Sequence, residues 1–116
     1  MRNKIQKIAV AALEDIKARD ITVLDVRSLT SLYDTLVIAT AESSRQVKAL
    51  SQHVREALKA AGAGIVGIEG EQSGEWVLID GGEIVVHIMQ PATRAYYNLE
   101  ELWTSAPRRR KPAARA

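Results

Sequence analysis

The apolar positions of the first segment recur every three or four residues: Ile5, Ile8, Ala9, Ala12, Leu13 and Ile16. That spacing predicts an amphipathic helix over residues 3–19 with one buried stripe, ending at Asp20. Residues 21–26 then alternate loosely and are rich in β-branched side chains. Residues 35–40 (Thr-Leu-Val-Ile-Ala-Thr) form a nearly continuous apolar run, as in a strand covered on both faces. A Ser43-Ser44-Arg45-Gln46 start fits a capping box, in which the Ser and Gln side chains each satisfy a free backbone donor. Val47, Leu50, Val54, Ala57, Leu58 and Ala61 supply the buried stripe of that second helix, and Gly62 is placed to end it in a left-handed conformation. A short strand at 65–68, a polar loop at 69–74 and hairpin strands at 75–80 and 83–89 follow. Pro91 cannot extend a central strand and opens a last helix carrying Tyr96, Leu99, Leu102 and Trp103. The order α-β-β-α-β-β-β-α predicts an α/β layer on a mixed sheet of about five strands.

The hairpin separates into two faces. A two-residue turn, at either Asp80-Gly81 or Gly81-Gly82, makes paired residue numbers sum to an odd value, and side chains alternate along each strand. One face then collects Val77, Ile79, Ile84, Val86 and Ile88, which belong against helices. The other collects Trp76, Leu78, Asp80, Glu83, Val85 and His87. This mixture of ring, aliphatics, acids and imidazole reads as a recognition surface and not as a core face. A three-residue turn would swap the grouping.

Charge sharpens that reading. The stretch 107–116 holds five positive side chains and no acid, and reads as a disordered basic tail on a single domain at 1–106. Without it the body carries 11 basic against 14 acidic side chains, a net −3 against the whole chain's +2. Residues 69–101 contain seven acids (Glu69, Glu71, Glu75, Asp80, Glu83, Glu100, Glu101) against Arg94 alone, so a partner of this region is expected to be basic.

Searches for chemistry return little. The chain has no Cys, which excludes disulfides and Cys-based zinc sites and leaves a cytoplasmic protein as the simplest expectation. Charges are spread through the first twenty residues, which lack the apolar centre of a signal peptide, and no apolar run reaches membrane-spanning length. His53 and His87 lie in different elements without metal-ligand spacing, and no cofactor is expected. Ser43, Ser44 and Ser73 have no His and carboxylate at recognisable spacing, and neither glycine-containing turn is followed by the helix a phosphate loop needs. Asp34 before a buried strand, followed by a Ser-Ser-Arg helix start, fits a metal-dependent nucleotidyltransferase in outline. A second carboxylate beside Asp34 is missing, so the expectation is a non-enzyme in which Asp34, Ser44, Arg45 and Gln46 are structural.

The stretches Tyr33-Asp34-Thr35-Leu36-Val37-Ile38-Ala39-Thr40, Ser43-Ser44-Arg45-Gln46-Val47, Gly74-Glu75-Trp76-Val77-Leu78-Ile79-Asp80, Val85-Val86-His87 and Tyr96-Tyr97-Asn98-Leu99-Glu100-Glu101-Leu102-Trp103 closely resemble the ribosomal silencing factor family, RsfS, also called Iojap. The resemblance runs in order over about residues 5–104. It implies a nucleotidyltransferase-like fold without enzymatic activity. It also implies binding to the large-subunit ribosomal protein numbered fourteen at the subunit face, so that the small subunit cannot join and translation is repressed when nutrients are short. Organelle relatives imply an alternative role in large-subunit assembly. The contact residues that the resemblance implies are Trp76, Leu78, Asp80, Tyr96 and Tyr97; the face argument adds Glu75, Glu83 and His87. A homodimer of the free protein and a contact of the basic tail with ribosomal RNA phosphates are left open, and the chain departs from the family pattern at Thr35 and in that tail.

Overall fold

The structure, a computed structural model, describes residues 2–104. The predicted basic tail at 107–116 lies outside them. The elements are α1 (Arg2–Asp15), β1 (Arg19–Asp25), β2 (Thr35–Thr40), α2 (Ser44–Ala60), β3 (Gly67–Glu69), β4 (Trp76–Asp80), β5 (Ile84–Met89), α3 (Pro91–Tyr97) and α4 (Leu99–Thr104). They form one mixed sheet in the order β1-β2-β5-β4-β3, in which only the central β2–β5 pair is parallel. This is the α/β architecture expected, with two differences. The first helix stops at Asp15, not 19, because Lys17 takes a left-handed φ of 64° and turns the chain into β1. The last helix is two, broken at Asn98, whose φ of 47° lets its N–H close on the Arg94 carbonyl.

The helix start at Ser43 forms half of the predicted capping box. The Ser43 hydroxyl accepts from the Gln46 backbone N–H at 3.1 Å. The Gln46 side chain does something else: its Oε1 accepts from the Glu42 N–H at 2.6 Å, and its amide donates to the carbonyls of Ile16 at 3.0 Å and Lys17 at 3.2 Å. One side chain thus satisfies backbone groups at the start of α2 and just beyond the end of α1. Between the same helices His53 Nε2 meets the Asp15 carboxylate at 3.0 Å. Gly62, at φ 88°, supplies the left-handed exit of α2.

The main core lies between the sheet and α1 and α2. Ala9, Leu13, Val47, Leu50, Val54 and Leu58 from the helices meet Val37, Ala39, Val77, Ile79, Ile84, Val86 and Ile88 from the strands. Burying each of the larger side chains contributes about 1.5–3 kcal/mol. The hairpin register is Trp76↔Met89 through Asp80↔Val85, so paired numbers sum to an odd value as expected. The turn itself sits one residue later, at Gly82-Glu83, closed by the Gly81 N–H on the Ile84 carbonyl at 2.8 Å.

The second face requires a correction. It was expected to be a surface and not a core face, yet Val26, Leu36, Ile38, Val85 and Met89 are buried there in a smaller cluster of their own. Leu29, Tyr33, Leu99 and Trp103 return over part of the sheet and cover it. All six residues of β5 are buried as a result.

Candidate functional site

The second face is built from register rows. Thr22, Ile38, His87, Leu78 and Glu69 stand side by side across all five strands, and Leu24, Leu36, Val85 and Asp80 form the next row. Trp76 lies beyond them, paired with Met89. Over the β1–β2 half the face is covered by loop and helix side chains. Over the β4 half it opens as a groove of about 580 Å³ lined by Leu32, Tyr33, Val66, Leu78, Asp80, Val85, His87, Leu99 and Trp103.

Aromatic rings form two groups on this face. In the groove Tyr33 and Trp103 meet edge to face at 5.8 Å between centroids. In an adjoining cleft Tyr97 packs on Trp76 at 4.7 Å, and Tyr96 stands edge-on to Tyr97 at 4.9 Å. Both tyrosines are exposed, Tyr96 to 81 %, and the aliphatic rim residues Leu32 and Val66 are 79 % and 71 % exposed. Side chains of this kind gain much from desolvation by a partner and little from water.

The Trp76 ring is held from below. Its indole N–H donates to His87 Nδ1 at 2.9 Å, and the two rings lie 5.8 Å apart. His87 is buried at 7 % exposure, and burial pushes its imidazole pKa down from 6.5 to about 4. The ring is therefore neutral at physiological pH, with its proton on Nε2 because Nδ1 is the acceptor.

Acids rim the groove. Asp80 lines it, with Oδ1 accepting from the Gly82 N–H at 2.9 Å; Glu69 is exposed beside Leu78, and Glu75 is exposed beside Trp76 in the adjoining cleft. Burial raises the Tyr33 pKa, and the nearby negative charge of Asp80 raises it further. Arg94, the one basic residue in 69–101, is directed inward. Arg94 donates to the Asp20 carbonyl (2.6 Å), Thr40 Oγ1 (2.8 Å), Thr22 Oγ1 (2.9 Å) and Glu100 Oε2 (2.7 Å), and it lowers the Glu100 pKa through that hydrogen bond. Arg94 thus ties the α3–α4 corner to β1 and β2 instead of balancing the rim. Gln90 positions the other side of the site: its side-chain amide donates to the Gly74 carbonyl at 2.7 Å and Ser44 Oγ at 3.3 Å.

Of the predicted contact residues, Trp76, Leu78, Asp80, Tyr96 and Tyr97 are brought together on this face, with Glu75 at its edge. Glu83 is exposed at the hairpin turn, where its carbonyl accepts from the N–H groups of Asp34 and Thr35 at 2.8 and 3.1 Å. His87 lies beneath the surface as the support of Trp76. Leu32, Tyr33, Glu69, Val66, Leu99 and Trp103 were missed as part of the site. Leu32 comes from a connection with no periodicity; Val66, expected inside a strand at 65–68, immediately precedes β3 at Gly67–Glu69, and Glu69 was reachable had β3 been placed in register with β4. Among the described residues no group of three or more His, Asp and Glu side chains could hold a metal ion, and no helix is long and apolar enough to cross a membrane.

Residues 2–116 match the family model described as ribosomal silencing factor during starvation, RsfS. The ribosomal silencing factor RsfS of Chromobacterium violaceum is 56% identical over 100 residues, 86% of this chain and 82% of that protein. A crystal structure of a Chromobacterium violaceum protein superposes with a TM-score of 0.85 at 55% identity, covering 87% of this chain and 84% of the other. The mouse protein named mitochondrial assembly of ribosomal large subunit protein 1 is 36% identical over 98 residues, 82% of this chain but 43% of its own length. The chain belongs to the RsfS family of ribosomal silencing factors.

Proposed function

We propose that this protein binds the large ribosomal subunit through the groove face, on a basic ribosomal protein at the intersubunit surface, the one numbered fourteen. Bound there, it sterically prevents the small subunit from joining and so represses translation in the cytoplasm under nutrient limitation. The observation that carries this reading is the ring cluster of half-buried Trp76 and exposed Tyr96 and Tyr97, in a cleft beside an apolar groove with acids on its rim. Rings and aliphatics supply the desolvated anchor, and Asp80, Glu75, Glu83 and Glu69 select a partner rich in Lys and Arg. No covalent step is required: occupancy alone excludes the small subunit. The mouse relative's name favours a role in assembly of the large subunit as a second outcome of the same contact.

Trp76→Ala tests it. Loss of a central aromatic anchor costs about 2 kcal/mol or more, roughly a thirtyfold weaker affinity. Co-sedimentation with purified large subunits should show that loss, and subunit association followed by light scattering should be restored in parallel. A folded Trp76→Ala protein that sediments as tightly as wild type rules out this face.

A further inference from the structure

The acidic body has a basic side. Helix α2 carries Arg45, Lys48, Arg55 and Lys59 against Glu56 alone, with no acid in its first turn. At 3.6 residues per turn these four cations and Gln52 fall within an arc of about 80° and run about 21 Å along the axis. The stripe lies on the layer opposite the groove, because the buried face of α2 packs on the other side of the sheet. It also lies on the flank away from α1, since His53, which bonds Asp15, is on the opposite flank. Arg45, Lys48 and Lys59 are exposed, and half-buried Arg55 stands 4.0 Å from Glu71 in the β3–β4 loop.

This arrangement works against the helix itself. A solvated helix face gains from opposite charges three or four residues apart, and here the pairs Arg45/Lys48 and Arg55/Lys59 are like-charged at those spacings. Arg45 and Lys48 also sit near the positive end of the helix dipole, where acids are favoured. Glu56 is three residues before Lys59 but receives the Gln52 amide at 3.2 Å. The stripe has no aromatic or large aliphatic side chain, so it lacks the anchor of a protein interface. Regularly spaced, self-repelling cations on a rigid rod match a polyanion.

We propose that the α2 stripe binds the phosphate backbone of large-subunit ribosomal RNA across the molecule from the groove's protein partner, an inference that rests on the ribosome-binding reading above. The two faces then divide the work: the groove recognises protein, and α2 adds a sequence-independent contact to RNA. The test compares wild type, the triple variant Arg45→Gln/Lys48→Gln/Lys59→Gln, Lys48→Arg and Trp76→Ala. Binding to whole large subunits, and to the isolated basic ribosomal protein, is measured over a salt series.

The triple variant is expected to bind whole subunits more weakly, with the slope of log affinity against log salt shallower by about 2 to 3, given roughly 0.7–0.9 per phosphate contact. Its binding to the isolated protein should be unchanged. Lys48→Arg should retain the wild-type slope. Trp76→Ala should weaken both without altering the slope, which separates failure of the groove from failure of the stripe. An unchanged slope in the triple variant overturns the proposal. Equal loss on the isolated protein does so too, by marking the stripe as a protein contact. Wild type that does not bind large subunits at all overturns both readings.

Discussion

Folding stability should carry the signature of His87 in a definite pH window. Burial lowers the His87 pKa to about 4, whereas in the unfolded chain it returns to about 6.5. The unfolded state therefore takes up this proton first as pH falls, and unfolding is favoured below 6.5. The difference grows down to about pH 4, where the folded protein is also half protonated, and levels off below it. Linkage over the two pKa values gives about 2 kcal/mol lost between pH 7 and pH 5, and about 3 kcal/mol by pH 4. Protonation of Nδ1 also removes the acceptor for the Trp76 indole N–H, so the ring above loses its anchor in the same step. The comparison is urea unfolding of wild type and His87→Gln at pH 7, 6 and 5. Gln can still accept from Trp76 but does not titrate, and subtracting the two curves cancels His53 and the carboxylates common to both. Wild type should lose about 2 kcal/mol more than His87→Gln over this range. Parallel pH dependence would show that His87 is not buried neutral, and the account of how Trp76 is held would fall with it.

Two further comparisons test the scaffold of the site. Arg94→Met should cost about 3 kcal/mol by urea unfolding, because it leaves Glu100, the two threonine hydroxyls and the Asp20 carbonyl without their shared donor; Arg94→Lys, which lacks the planar fork, should recover only part of this. Gly70→Ala should be more damaging than Gly82→Ala. Both residues have positive φ, 86° and 89°, and share a strain of about 1 kcal/mol, but a Cβ on Gly70 collides with the Trp76 carbonyl whereas one on Gly82 meets nothing within 4 Å. Thermal unfolding ranks the pair, and similar midpoints would mean that the Gly70 loop yields without disturbing β4.

Elements whose burial is set by one neighbour were readable from the chain. The α2 stripe, the apolar run of β2 and the odd-sum hairpin register each follow from a local period, and the sorting of Val77, Ile79, Ile84, Val86 and Ile88 to the helical side followed from them. What could not be read is whatever returns from elsewhere. Val85 and His87 alternate outward from the helical side, and they are buried there beneath side chains that return from elsewhere, Tyr33, Leu99 and Trp103, together with Trp76 on His87. The end of α1 depends on a left-handed Lys17, and the carbonyls of Ile16 and Lys17 just beyond it accept from the Gln46 side chain, far along the chain in α2. Asn98 divides the last helix through a backbone state that the surrounding polar residues do not announce.

That second cluster changes what the recognition face is. A tryptophan on an open sheet must lose its side-chain freedom when a partner binds, and each such loss subtracts about 0.5–1.5 kcal/mol from affinity. Trp76 has already lost it: Tyr97 lies on one side, and the His87 acceptor fixes the indole nitrogen. His87 can hold that role only while it is neutral, and it is neutral because the strands and Trp103-bearing α4 exclude water around β5. The small core under the groove and the ring cluster beside it are therefore one device, in which burial of a titratable side chain stiffens the half-buried Trp76. A contact residue chosen from alternation alone places His87 on the surface, but its larger contribution comes from being beneath it.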